Sequence, residues 1–230
     1  MEIATLCLIE LWSGVASLST ALCAQGASLH AYCESNPLLN TLLSQAHPGA
    51  QSASLSEKGE WKFWSLPKSA VVWVLGGPSC TSLSTAGKQL AGDDPTSRYL
   101  FDHIFMAAAF GASLILLENV LYLVEGDSVH GLYTQLLQQA AALGYVLVQQ
   151  WKVEDAKVGG STQRARLFLI WEKKSIHEKL PQWHSTVCDP VGQLPAPISA
   201  SLLPVHQLPQ SVWLQGVAVF DPDITIRSHQ

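Results

Sequence analysis

"TLCLIELWSGVAS", residues 5–17, decides the fold. Its first seven residues are an almost unbroken apolar run, leucine-rich with a β-branched residue, and they read as a buried strand. The next six make a tight turn around Gly14 and open a helix expected to run through Gln25, with Gly26 as its stop. A strand that turns at once into a helix is half of a βαβ unit, and the same unit recurs along the chain.

"SLHAYCE" (28–34) is a second strand ending in Glu34, and "SNPLLNTLLSQAH" (35–47) is a helix with Ser35 or Asn36 at its N-cap. "AVVWVLGG" (70–77) is another buried strand, "SRYLFDHIFMAAAF" (97–110) has helical periodicity, and "ASLILLENV" (112–120) returns to a continuous apolar run. A helix at "GLYTQLLQQAAALG" (131–144) precedes two strands, "YVLVQQWKV" and "RLFLIWE", which should pair antiparallel. This alternation predicts an α/β fold with a mostly parallel sheet and helices on both faces. Ligands of such sheets sit beyond the carboxyl ends of the strands, where "WSGVAS", Glu34, "GGPSC" and "ENV" should converge.

The chain of 230 residues is 48% hydrophobic, enough for one large core. With 13 basic against 18 acidic residues it carries a net charge of −5, which argues against a broad nucleic-acid-binding surface. Five cysteines without a CxxC pair or Cys/His clustering speak against a disulfide scaffold or a metal site and for a reducing, intracellular location. The apolar N-terminus lacks a basic region, and no apolar stretch approaches the roughly 20 residues of a membrane span, so a soluble protein is expected. Residues 175–230 hold seven of the 12 prolines. The expected division is therefore a core at 1–174 and a loop-like extension at 175–230.

Four places could carry chemistry. Trp12, Gly14 and the turn around them could approach a cofactor, with Trp12 against an aromatic base and Glu34 on ribose hydroxyls; Trp12 could equally be core. Cys80 follows Gly76-Gly77-Pro78-Ser79 and precedes a polar stretch. A lone cysteine is usually a small buried hydrophobe, but on an accessible loop its thiolate could act as a nucleophile. Glu118 ends the next strand and should lie near Cys80, unless it merely caps the following helix. Arg164 and Arg166 share a face of the strand that they enter, where solvation is the plainer role.

In this order the glycine turn, the strand-end Glu34, "GGPSC", "LLENV" and "QRARLF" resemble the cytosine-5 DNA methyltransferase family, over residues 5 to about 172. "GVAS" and "RARLF" are most similar to its de novo and phage-like branch. The resemblance implies a Rossmann-like, S-adenosylmethionine-dependent methyltransferase fold. It makes Cys80 the thiolate that adds to cytosine carbon 6, and Glu118 the acid that holds and protonates nitrogen 3. Arg166, with Arg164, would bind the exocyclic oxygen. Ser84 matches a loop serine that contacts the target backbone. Trp12, Gly14, Glu34 and, on a looser match, Glu60 would hold the cofactor.

The pattern also departs from that family. Ser79 stands where a proline usually precedes the cysteine, Thr162 replaces a common glutamine, and no match to the target-recognition region or the two last motifs is found in residues 175–230. These departures leave three expectations open. The chain could be a DNA (cytosine-5-)-methyltransferase, alone or with a second polypeptide or homo-oligomeric partner that supplies DNA recognition. It could instead be a non-catalytic regulatory module, or an enzyme acting on RNA or a nucleotide.

Overall fold

The computed structural model of the chain describes residues 6–53, 64–68, 70–79, 97–126, 130–158 and 164–178. Strand β1 (Leu6–Leu11) leads into helix α1 (Ser17–Cys23), β2 (Ser28–Cys33) into α2 (Pro37–Ala46), and a short β3 (Gln51–Ala53) follows. Next come β4 (Val71–Gly76), α3 (Arg98–Ala109), β5 (Leu114–Asn119), the one-turn α4 (Tyr122–Glu125) and α5 (His130–Ala142). β6 (Tyr145–Glu154), a 3-10 turn at Asp155–Val158, β7 (Ala165–Lys173) and the short α6 (Lys174–His177) complete the described chain.

All seven strands join one sheet in the order β3-β2-β1-β4-β5-β7-β6. The first five are parallel, and β7 lies between β5 and β6, antiparallel to both. The expected α/β fold is the one observed, including the antiparallel "RLFLIWE". β3 escapes a sequence reading because "QSA" has no apolar run, and its pairing with β2 alone creates it.

Apolar faces explain the layers. Leu8, Leu75 and Tyr32 pack with Ala16 and Leu43, joining α1 and α2 to one face of the sheet. Ile9, Leu11, Val74, Ile115 and Leu117 pack on the other face with Leu100, Ile104 and Leu136 from α3 and α5. Within α3 the buried positions 100, 103, 104 and 107 follow the helical repeat.

Local chemistry sets the ends. Asn36 caps α2 by accepting from Leu38 N and Leu39 N, with Pro37 at the first turn, which selects Asn36 over Ser35. α1 stops at Cys23, earlier than expected, because Gly26 at φ +94 lets Gly26 N and Ala27 N donate back to Cys23 O and Leu22 O. The expected boundary after Lys174 falls at the start of α6, and the extension lies outside the described residues from 179 onward. No helix among the described residues is long and apolar enough to cross a membrane.

Candidate active site

β1 sits where the strand order reverses, with β2 on one side and β4 on the other, so a crevice opens beyond their carboxyl ends. The turn after β1 fills one side of it. Trp12, Gly14 and Ala16 all have left-handed backbones, at φ +50, +55 and +54. For tryptophan and alanine this costs about 1–3 kcal/mol each, so the surroundings must hold the turn.

They do so with backbone donors. Ser13 N and Ser13 Oγ both donate to Cys33 O at 3.0 and 3.1 Å, and Ala16 N donates to Ser13 O at 2.6 Å. Glu34, expected on a ribose, receives Gly14 N on Oε2 and Asn36 N on Oε1, both at 2.7 Å. Each carboxylate oxygen can accept more than one bond, so this arrangement does not exclude hydroxyl binding. A Cβ added at Gly14 would meet nothing within 4 Å, so open space lies above that backbone.

Glu10 was not singled out from the sequence, yet it supports the same turn from below. It is 2% exposed and accepts from Ser19 N at 2.8 Å. α1 has no side-chain cap of its own, so this strand carboxylate satisfies one of its free N–H groups. Burial pushes the Glu10 carboxyl up to about 7, opposed by its bonds to Ser19 and Leu18. The available signal was one acidic residue inside an apolar strand.

Trp12 is half-buried. Its ring lies 5.9 Å from Tyr99 and 5.6 Å from His103, both on α3, so it packs on the core and borders the crevice at once. Tyr99 and His103 were also missed, because helix periodicity reads both simply as packing.

Across the crevice, β4 ends in two glycines with distinct roles. A Cβ at Gly76 would collide with Leu11 O and lie 2.9 Å from His103 Cε1. At Gly77 it would lie 2.8 Å from Glu118 Oε2, so a side chain there would crowd the carboxylate. Asn119, buried, donates from Nδ2 to Pro78 O at 3.2 Å and ties Pro78, two residues before Cys80, to β5.

The carboxylate of Glu118 meets the Arg166 guanidinium, with Nε at 2.6 Å from Oε1. Burial pushes the Glu118 carboxyl up, and the Arg164 charge opposes that. Both arginines thus act on Glu118, a pairing that the sequence reading did not anticipate. The register explains how: Glu118 stands opposite Phe168 on β7, and Arg166, two residues from Phe168, lies on the same face of the sheet. Cys80, Ser84 and Glu60 lie outside the described residues, and β3 ends at Ala53, well before Glu60. Among the described residues no group of three or more His, Cys, Asp or Glu could hold a metal ion.

The doubly wound sheet with an antiparallel β7 beside β5 recurs among solved structures of methyltransferases. Two solved structures share it. One is a candidate DNA modification methyltransferase encoded within an E. coli prophage (TM-score 0.59, 20% identity), covering 75% of this chain and 48% of its own. The other is a triple mutant of Spodoptera frugiperda DNMT2 (TM-score 0.54, 20% identity), covering 75% and 51%. In sequence, the Type II methyltransferase M.MthTI of Methanothermobacter thermautotrophicus is 28% identical over 133 residues, 55% of this chain and 39% of that protein. The model of the C-5 cytosine-specific DNA methylase family matches residues 6–201, and the chain belongs to that family. It spans about half the length, or less, of these relatives.

Proposed function

We propose that this chain is the catalytic core of a DNA (cytosine-5-)-methyltransferase. The observation that carries the reading is the Glu118–Arg166 pair, closed at 2.6 Å beside Gly77, three residues before Cys80. A scaffold has no need for a raised-pKa carboxyl and two cations around one strand end. The cofactor turn fits S-adenosylmethionine: open space above Gly14 admits a ligand against the backbone, and Trp12 offers an aromatic wall. Trp12, Gly14 and Glu34 would hold that group, with Glu60 and Ser84 assigned by the family pattern alone. When bound, it supplies an electrophilic methyl group.

The chain's own residues do the rest. The Cys80 thiolate adds to carbon 6 of a cytosine taken out of its stack, and the electron pair moves to carbon 5. Glu118, held partly out of water, gives a proton to nitrogen 3 as charge develops there. Arg166, with Arg164, holds the exocyclic oxygen and stabilises that charge. After methylation, loss of the carbon-5 proton returns the electron pair and expels the Cys80 thiolate, and nitrogen 3 hands its proton back to Glu118.

The domain boundary is proposed near residue 174. Target recognition is assigned to chain outside the described core or to a second polypeptide. The support is the acidic balance of 13 basic against 18 acidic residues. An intracellular location follows from a DNA substrate.

The test is trapping. Incubation with S-adenosylmethionine and DNA containing 5-fluorocytosine should give a denaturation-resistant adduct, because fluorine cannot leave as a proton does. Absence of adduct in the wild-type chain, both alone and with the neighbouring gene product, would refute a catalytic role and leave the regulatory reading. An adduct on RNA alone would reassign the substrate.

A further inference from the structure

His103 is the one fully buried imidazole among the described residues, and the mechanism does not use it. It occupies a core position of α3, beside Leu100, Ile104 and Ala107 on the same face. Its Nε2 lies 3.2 Å from Leu116 O, which can only accept, so Nε2 carries the proton and donates. Nδ1 is then a bare acceptor, and it finds no hydrogen-bond partner among the described residues. Burial drives the ring's pKa down to about 4, opposed by the Leu116 bond, so the imidazole is neutral at physiological pH.

As core filler this is a poor choice. A buried acceptor without a partner gives up its hydration for nothing in return, a penalty that an apolar side chain of similar size would not incur. Its placement explains what the imidazole does instead. The Nδ1–Cε1 edge faces Gly76, close enough that a Cβ there would sit 2.9–3.1 Å away. The ring lies 5.6 Å from Trp12 at 45°, and the donor bond reaches β5 two residues before Glu118. One side chain therefore touches the end of β4 at Gly76 and, through Leu116, the strand that ends at Glu118 and Asn119, and it backs the ring of Trp12.

We propose that His103 is a positioning residue for the cofactor turn: anchored on Leu116 O, its ring fixes Trp12 as a wall of the cofactor pocket. The inference rests on the methyltransferase reading above. A planar ring with one directional anchor can hold the strained Trp12 in a single orientation, whereas a leucine could fill the volume without setting a direction.

The experiment is calorimetric binding of S-adenosylhomocysteine to the full chain, paired with thermal melts and with steady-state kinetics on any complex that turns over. His103→Ala should weaken binding about tenfold, and 10 mM imidazole should restore it to within about threefold. In kinetics the KM for S-adenosylmethionine should rise about tenfold, while kcat at saturating cofactor stays within about twofold. A purely structural role would lower the melting temperature and leave that split absent. His103→Gln keeps an N–H for Leu116 but loses the ring, and should weaken binding about threefold; it carries the test if the alanine variant does not fold. Wild-type affinity in either folded variant overturns the inference while leaving the methyltransferase reading intact. No binding by the wild-type chain overturns the cofactor assignment and this inference together.

Discussion

The two sides of the crevice are held by different physics. On the β1–β2 side the carboxylates of Glu10 and Glu34 accept backbone N–H groups from Ser19, Gly14 and Asn36, and they are 2% and 8% exposed. On the β4–β5–β7 side the Glu118 carboxylate faces the side chain of Arg166, with side-chain exposures of 27% and 19%. Backbone donors cannot swing away, so the first side is a rigid mould. A guanidinium on a flexible stem can exchange partners, so the second side can rearrange around its carboxylate. Under the proposed function, shape would serve the cofactor on the first side and redistribution of charge would serve the base on the second.

The sharpest test of that contrast removes chemistry without shape. Cys80→Ser should lower methyl transfer roughly 10,000-fold, about 5.5 kcal/mol, while S-adenosylhomocysteine affinity by calorimetry stays unchanged. If affinity fell in parallel, the two sides would not be separable. Glu118→Gln comes next, with a loss of roughly a thousandfold in turnover, about 4 kcal/mol, and little change in melting temperature, since the pair is partly exposed.

Where the two sides meet, Gly76→Ala should destabilise the fold by roughly 3 kcal/mol in urea unfolding, because the added Cβ strikes backbone at Leu11 O and His103 behind it. Unchanged stability would mean that the sides are less tightly joined than their contacts indicate.

The mould itself should be pH-sensitive. Glu10 rises from 4.5 in the unfolded chain to about 7 in the fold. Its contribution is therefore fully present below about pH 4.5 and is lost as pH rises through about 7, a swing of roughly 3 kcal/mol. Glu10→Gln keeps an acceptor for Ser19 N and should flatten that part of the stability profile, most visibly between pH 5 and 8. The smallest effect belongs to Glu34→Gln, about 1 kcal/mol from weakening one of two backbone bonds, read as a melting shift with a modest loss of cofactor affinity.

Every strand with an apolar run and every long helix was legible in the chain, because burial leaves its period in the side chains. The positions of Trp12, Gly14, Glu34, Glu118 and both arginines at strand ends followed from the same reading. β3 was not legible, since three polar or small residues become a strand only beside β2. Glu10, Tyr99 and His103 were hidden for a related reason: each reads locally as one more strand or helix residue.

The sequence by itself determined the α/β alternation, the family and which residues stand at the carboxyl ends of the strands. These properties are local, written in periodicity and in short motifs. Only the tertiary structure decided that Glu34 is bonded to Gly14 N, that Arg166 reaches Glu118 and that His103 backs Trp12. Those partners are separated by 20 to 91 positions in the chain and meet through sheet order and register, which no local pattern encodes.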